Sequence, residues 1–193
     1  GPTIPELILK NGAIPGIKVD KGAKLLAGSN DENVTEGLDG LRERLTEYYN
    51  LGARFTKWRA VYKISEKFPS SQSIKSNAHA LARYAALVQE AKMVPIIEPE
   101  VLMDGSHSID KCYSVTTDVL NECYNELHIH NVDLKGTVLK PNMIIPGSDC
   151  EDKSTSEEIA RKTLDCLKKN VPDKVPGIAF LSGGQSEIEA SKN

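Results

Sequence analysis

Chemistry-bearing residues recur in this chain wherever an apolar run ends. Lys18-Val19-Asp20, Lys57-Trp58-Arg59, Glu98-Pro99-Glu100, Lys140-Pro141-Asn142 and Ser182-Gly183-Gly184 each follow such a run, and the groups begin about 40 residues apart. Side chains two apart on a strand share a face, so each polar pair points one way. A lysine crowded by other cations and shielded from water gives up its proton more readily. The neutral amine can attack a carbonyl carbon and form a Schiff base, with a nearby carboxylate carrying the protons. Lys140 is the best candidate, because it ends the most apolar run and would stand between Glu98 and Ser182 on neighbouring strands. The same spacing also fits a structural role, with Lys140 in a buried ion pair with Glu98 or Glu100.

Ser182, Gly183 and Gly184 open a segment, QSEIEAS, that reads as a helix start. Consecutive glycines let backbone amides approach an anion, and a helix amino end favours negative charge, so a substrate phosphate is the expected occupant. Lys18 offers either a contact to another phosphate or a salt bridge to Asp20. Arg59 either meets phosphate or orients Glu98. Trp58 is expected to pack on the outer side of the sheet.

These groups need a scaffold that gathers strand ends. Strands are expected over Gly16–Asp20, Arg54–Arg59, Met93–Glu98, Gly136–Lys140 and Gly177–Leu181, each apolar until its carboxyl end, as strands buried on both faces are. Apolar residues spaced by three and four predict helices over Asn33–Leu51, Ser71–Lys92 and 108–128, with Gly52 stopping the first. A fourth is predicted from Thr155, with Glu158 completing a capping box and Ile159, Leu164 and Leu167 facing the sheet. Such strand–helix repeats make a parallel α/β sheet whose strand ends open on one mouth. Five strands fit either an open sheet or part of an eight-stranded barrel.

Bulk properties narrow the function classes. At 193 residues the chain is expected to be one domain, 1–193. A net charge of −3 provides no basic footprint for nucleic acid. No run approaches the roughly 18 apolar residues that span a bilayer, and GPTIPELILK lacks a signal-peptide pattern, so a cytoplasmic protein is expected. The four cysteines show no paired spacing and read as reduced thiols. His128 and His130 fall at a predicted helix end with no cysteine at metal spacing, and read as a solvated turn rather than a metal site.

PGIKVDKG (15–22), GLDGLRER (37–44), FTKWR (55–59), PIIEPE (95–100), LKPNM (139–143) and FLSGGQSE (180–187) strongly resemble class I fructose-bisphosphate aldolase, in the family's order and spacing. The resemblance implies a (β/α)8 TIM barrel, of which this chain supplies about strands 3 to 7. It implies that Lys140 forms a Schiff base with dihydroxyacetone phosphate or fructose 1,6-bisphosphate, with Glu98 as acid/base and Lys57 positioning the intermediate. It places Ser182, Gly183 and Gly184 at the ketone-side phosphate, Lys18 near the distal phosphate, and Arg59, Asp20 and Glu100 in supporting positions. It implies no cofactor and no metal, a homotetramer, and sugar phosphates as partners, including glyceraldehyde 3-phosphate.

By the same resemblance, two strands would precede Gly1, and an eighth strand and a mobile tail would follow Asn193. The first of these carries an aspartate and the last an arginine without counterparts here. Such a chain alone would expose sheet edges. Two other functions compete with the glycolytic lyase. One is another Schiff-base barrel lyase, such as a transaldolase, which lacks the KWR, EPE and SGGQSE set. The other is a catalytically inactive aldolase fragment or a scaffold binding partner proteins.

Overall fold

Phe55–Tyr62 alternates between two environments, and that alternation sets the layers. Thr56, Trp58, Ala60 and Tyr62 are buried, while Lys57 and Arg59 lie on the opposite, more open face. In the computed structural model, which describes residues 1–151 and 153–193, the elements run in βα order after a short leading helix. They are α1 (Ile4–Lys10), β1 (Gly16–Lys18), β2 (Ala23–Leu25), β3 (Asn33–Thr35), α2 (Leu41–Asn50), β4 (Phe55–Tyr62), α3 (Ser71–Glu90), β5 (Val94–Val101), α4 (Ile109–Ile129), β6 (Val138–Leu139), α5 (Ser156–Asn170) and α6 (Glu187–Lys192).

β1, β4, β5 and β6 pair in that order, all parallel. Ile178 continues the series through a single parallel bridge to Leu139. Neighbours in space are therefore neighbours among the strands expected from the sequence, as in a barrel wall. Trp58 stacks on Tyr84 of α3 with ring centroids 5.3 Å apart. The Thr56 hydroxyl lies 2.7 Å from the Tyr84 hydroxyl. These contacts fix the helix layer on the outer face of the sheet and confirm the expected place of Trp58.

The α3 stripe of Ala78, Leu81, Ala82, Ala85 and Val88 is buried, with Lys75, Arg83 and Lys92 on the solvated side. Ser70 and Ser108 cap α3 and α4 by accepting from the N3 amides. Gly52, at φ +106, ends the α2 segment in the left-handed region that favours glycine.

Four expectations need correction. The helix expected from Asn33 begins only at Leu41, because Asn33–Thr35 instead pairs antiparallel with Ala23–Leu25. Asn77 of α3 explains this, donating to the Asn33 carbonyl at 2.8 Å and accepting from the Thr35 amide at 3.1 Å. The strand expected at Gly177–Leu181 reduces to the Ile178 bridge. Leu164 is 54% exposed rather than facing the sheet. It lies about 140° around the helix from Ile159, while Thr163, Cys166 and Leu167 share the buried side. Thr155 does accept from the Glu158 amide at 3.2 Å, but the reciprocal half of the capping box is not formed. One further element was not anticipated: Thr3 and Glu6 form a complete capping box at the start of α1.

Candidate active site

Glu98 stands between two lysines. Its Oε1 is 3.0 Å from Lys140 Nζ, and its Oε2 is 2.9 Å from Lys57 Nζ. The glutamate side chain is only 4% exposed, against 22% for Lys57 and 30% for Lys140. Three neighbouring strands converge here: Lys57 on β4, Glu98 on β5, and Lys140 immediately after β6, its amide donating to the Ile97 carbonyl at 2.8 Å. Among the described residues, buried Glu98 Oε2 receives no hydrogen bond and is met by the charge of Lys57. A buried carboxylate oxygen met by an ion contact, without a hydrogen bond, suits a group that exchanges protons.

A second cluster adjoins the first. Lys18 reaches Asp20 Oδ1 at 2.6 Å and the Asp20 carbonyl at 3.0 Å. Asp20 Oδ2 accepts from the Arg59 amide at 3.3 Å, and Oδ1 from the Gly22 amide at 3.1 Å. The Arg59 guanidinium pairs with buried Glu100, whose hydrogen bond holds its pKa above the ordinary value, with Glu98 and Asp20 adding attraction. Lys18 thus makes the salt bridge that was one of its two expected roles. The Arg59 expectation needs correction: its carboxylate is Glu100, not Glu98. By Cα register Lys57 lies opposite Ile96 and Arg59 opposite Glu98. Each cation instead reaches two residues further along β5, as side chains leaning along the strand direction do.

The phosphate candidates sit apart from these pairs. Ser182 and Gly184 are exposed, and Gly183 and Gly184 have φ of +62° and +87°. The Ser182 carbonyl accepts from the Gln185 amide at 3.2 Å and its side-chain amide at 2.8 Å. Among the described residues, no hydrogen bond or ion pair joins Ser182, Gly183 or Gly184 to Lys57, Glu98 or Lys140. The loop stands at the end of the strand position next to Lys140, linked by the Leu181 amide to the Pro141 carbonyl at 3.3 Å.

A match to known proteins decides the family. The family model described as "Fructose-bisphosphate aldolase class-I" matches residues 1–193. This chain belongs to the class I fructose-bisphosphate aldolase family. A probable fructose-bisphosphate aldolase class 1 of Xylella fastidiosa is 55% identical over 99% of the chain, which covers 57% of that protein. Fructose-bisphosphate aldolase 5, cytosolic, of Arabidopsis thaliana is 57% identical over the whole chain, 54% of its own length. The Plasmodium falciparum aldolase, solved in complex with TRAP and a small-molecule inhibitor, is 47% identical, with a TM-score of 0.95 over 96% of this chain and 54% of that one. The chain spans about half the length of these aldolases. Its parallel strands are accordingly a run of the TIM barrel, β1, β4, β5, β6 and the Ile178 position in order.

Within this aldolase wall, one positioning residue escaped a reading based on charge. Asn142, two residues after Lys140 and buried, accepts from the Val101 amide at 3.0 Å. Its amide nitrogen donates to Thr116 Oγ1 at 3.2 Å and to the Met143 carbonyl at 3.1 Å. It thereby ties the segment after Lys140 to the end of β5, which carries Glu98, and to α4. Its place directly beyond a Lys-Pro strand end, in the Lys140-Pro141-Asn142 group, was the available signal.

Proposed function

We propose that the protein containing this chain is a class I fructose-bisphosphate aldolase, cleaving fructose 1,6-bisphosphate reversibly into dihydroxyacetone phosphate and glyceraldehyde 3-phosphate. The observation that carries the reading is Glu98 held between Lys140 and Lys57 at 3.0 and 2.9 Å. As a purely structural device this triad is a poor one, since burying a carboxylate with two cations costs desolvation that their attraction barely offsets. As a proton-handling site it is well built.

Lys140 transfers a proton to Glu98, and its neutral nitrogen adds to the ketone carbon. Glu98 returns that proton to the new alkoxide oxygen and relays a second one to it from the nitrogen, so that water leaves and the protonated imine forms. The protonated imine withdraws the electron pair of the bond between carbons three and four as that bond breaks. The carbon-four hydroxyl gives up its proton to a base, and the aldehyde product departs. Protonation of the remaining enamine at carbon three, then hydrolysis, frees the ketone product and restores Lys140. Lys57, 2.9 Å from Glu98, polarises the oxygens of the bound intermediate.

Ser182, Gly183 and Gly184 bind the ketone-side phosphate, supported by the left-handed glycine backbone. Lys18, 53% exposed, swings from Asp20 to the distal phosphate. Arg59 also meets phosphate, with Asp20 and Glu100 supporting both cations. No metal or other cofactor takes part in the reaction. Residues 1–193 act within one barrel domain, in a cytosolic homotetramer. The names of the Arabidopsis relatives support the cytosol, and no helix among the described residues is long and apolar enough to cross a membrane.

Cleavage of fructose 1,6-bisphosphate by the native full chain, followed in a coupled assay, tests this reading. Activity should persist in EDTA and disappear in Lys140→Met. Activity lost in EDTA, or retained in Lys140→Met, would refute it. The TRAP complex of the Plasmodium relative favours a second role as a scaffold for partner proteins.

A further inference from the structure

His79, Glu126 and His130 form a cluster outside the catalytic site. Each offers one ligand atom, and the three atoms lie within 4.8 Å of one another. The ligands come from two packed helices: His79 from the middle of α3, Glu126 from the last turn of α4, and His130 from its C-cap. His79 Nδ1 is 3.1 Å from Glu126 Oε2, and His130 Nδ1 is 3.5 Å from the same oxygen. The two rings meet edge-on, with centroids 4.9 Å apart. His130 is therefore no solvated turn; it is half-buried against Glu126 and His79.

We propose that this cluster binds one zinc-type divalent transition ion and pins α3 to α4. In a tetrahedral zinc site with bonds of about 2.0–2.1 Å, neighbouring ligand atoms stand about 3.3 Å apart. The two edges that meet at Glu126 already bracket that spacing. The edge between the histidines closes by rotation of the half-exposed His79 ring. His130 Nδ1 exchanges its 2.9 Å hydrogen bond to the Glu126 carbonyl for the ion. Water fills the fourth position.

Two imidazoles and one carboxylate are a donor set suited to zinc and its neighbours, rather than to calcium or magnesium. The negative end of the α4 dipole adds attraction for a cation. The site lies away from the proposed chemistry. α4 leaves the carboxyl end of β5, near Glu98, and returns toward the start of β6. Its last turn therefore lies at the opposite end of the barrel wall. The ion would have a structural role, and its loss should not alter the Schiff-base reaction.

Equilibrium dialysis of the native full chain against Zn²⁺, with its accessible thiols blocked, tests the proposal. About one zinc should be retained per chain, and a bound Co²⁺ probe should show visible tetrahedral d–d absorption. His79→Ala, His130→Ala and Glu126→Gln should each weaken binding by about tenfold or more and remove the rise in melting temperature that zinc produces. His79 and Glu126 lie at the surface and in the last helical turn, so these variants should fold, which circular dichroism checks. Zinc that is not retained, or retained equally by all three variants, would overturn the proposal and leave a histidine–glutamate clip between helices. Aldolase activity should be the same with and without bound zinc, so failure of this proposal is distinct from failure of the catalytic reading.

Discussion

Glu98 faces two ammonium groups and keeps one oxygen without a good hydrogen bond. Glu98→Gln preserves the shape but not the proton carrier, so kcat should fall by about 10²–10⁴-fold, with little change in melting temperature. An unchanged kcat would remove Glu98 from proton transfer. Asn142 has a structural role that kinetics alone would miss. Asn142→Ala leaves the buried Val101 amide without its partner at 3.0 Å and should lower stability by about 1–3 kcal/mol in urea titrations.

Burial also shapes the chain's response to base. It pushes the Cys123 thiol up to about 12 and the Cys112 thiol up to about 11, from an ordinary 9.0. The folded state keeps protons that the unfolded chain releases above that value. The stability these thiols contribute is therefore complete below pH 9 and falls as pH rises toward 11 and 12, by at most about 1.4 kcal/mol per thiol per pH unit. Urea unfolding at pH 8 and pH 10 should show the decline, and Cys123→Ala should reduce its slope. At this scale the sequence was informative about placement, because lysine and glutamate at the ends of neighbouring apolar strands meet as Lys57, Glu98 and Lys140. Arg59's choice of Glu100 over Glu98 was not legible, since it depends on how side chains lean along paired strands.

At the scale of elements, the alternation in β4 places the charged side chains and the packing on opposite faces. Trp58 is fully buried between Lys57 and Arg59 and stacks on Tyr84. Trp58→Ala should cost about 3–5 kcal/mol, measured by chemical denaturation, whereas Arg59→Ala should affect stability far less. Equal losses would contradict this division of faces. Helices over α3, α4 and α5 were readable within a few residues because their apolar stripes face a sheet. The β2–β3 hairpin was not readable. Three-residue strands carry too little pattern, and a side chain 44 positions along the chain, Asn77, captures the Asn33 carbonyl. The position after β6 was only half readable, since Gly177–Leu181 has a strand-like composition but pairs through one bridge.

For the whole molecule, the parallel order β1, β4, β5, β6 and Ile178 brings the ends of successive strands to one mouth. Repetition about every 40 residues made this architecture legible, and the LKPNM and LSGGQSE motifs marked its family. Lys140 is proposed as the amine that bonds covalently to substrate. Borohydride reduction of the native full chain with dihydroxyacetone phosphate, followed by intact-mass analysis and peptide mapping, tests it most directly. One reduced adduct per chain, carried on Lys140, is expected. No adduct, or an adduct on Lys57 in its place, would contradict it.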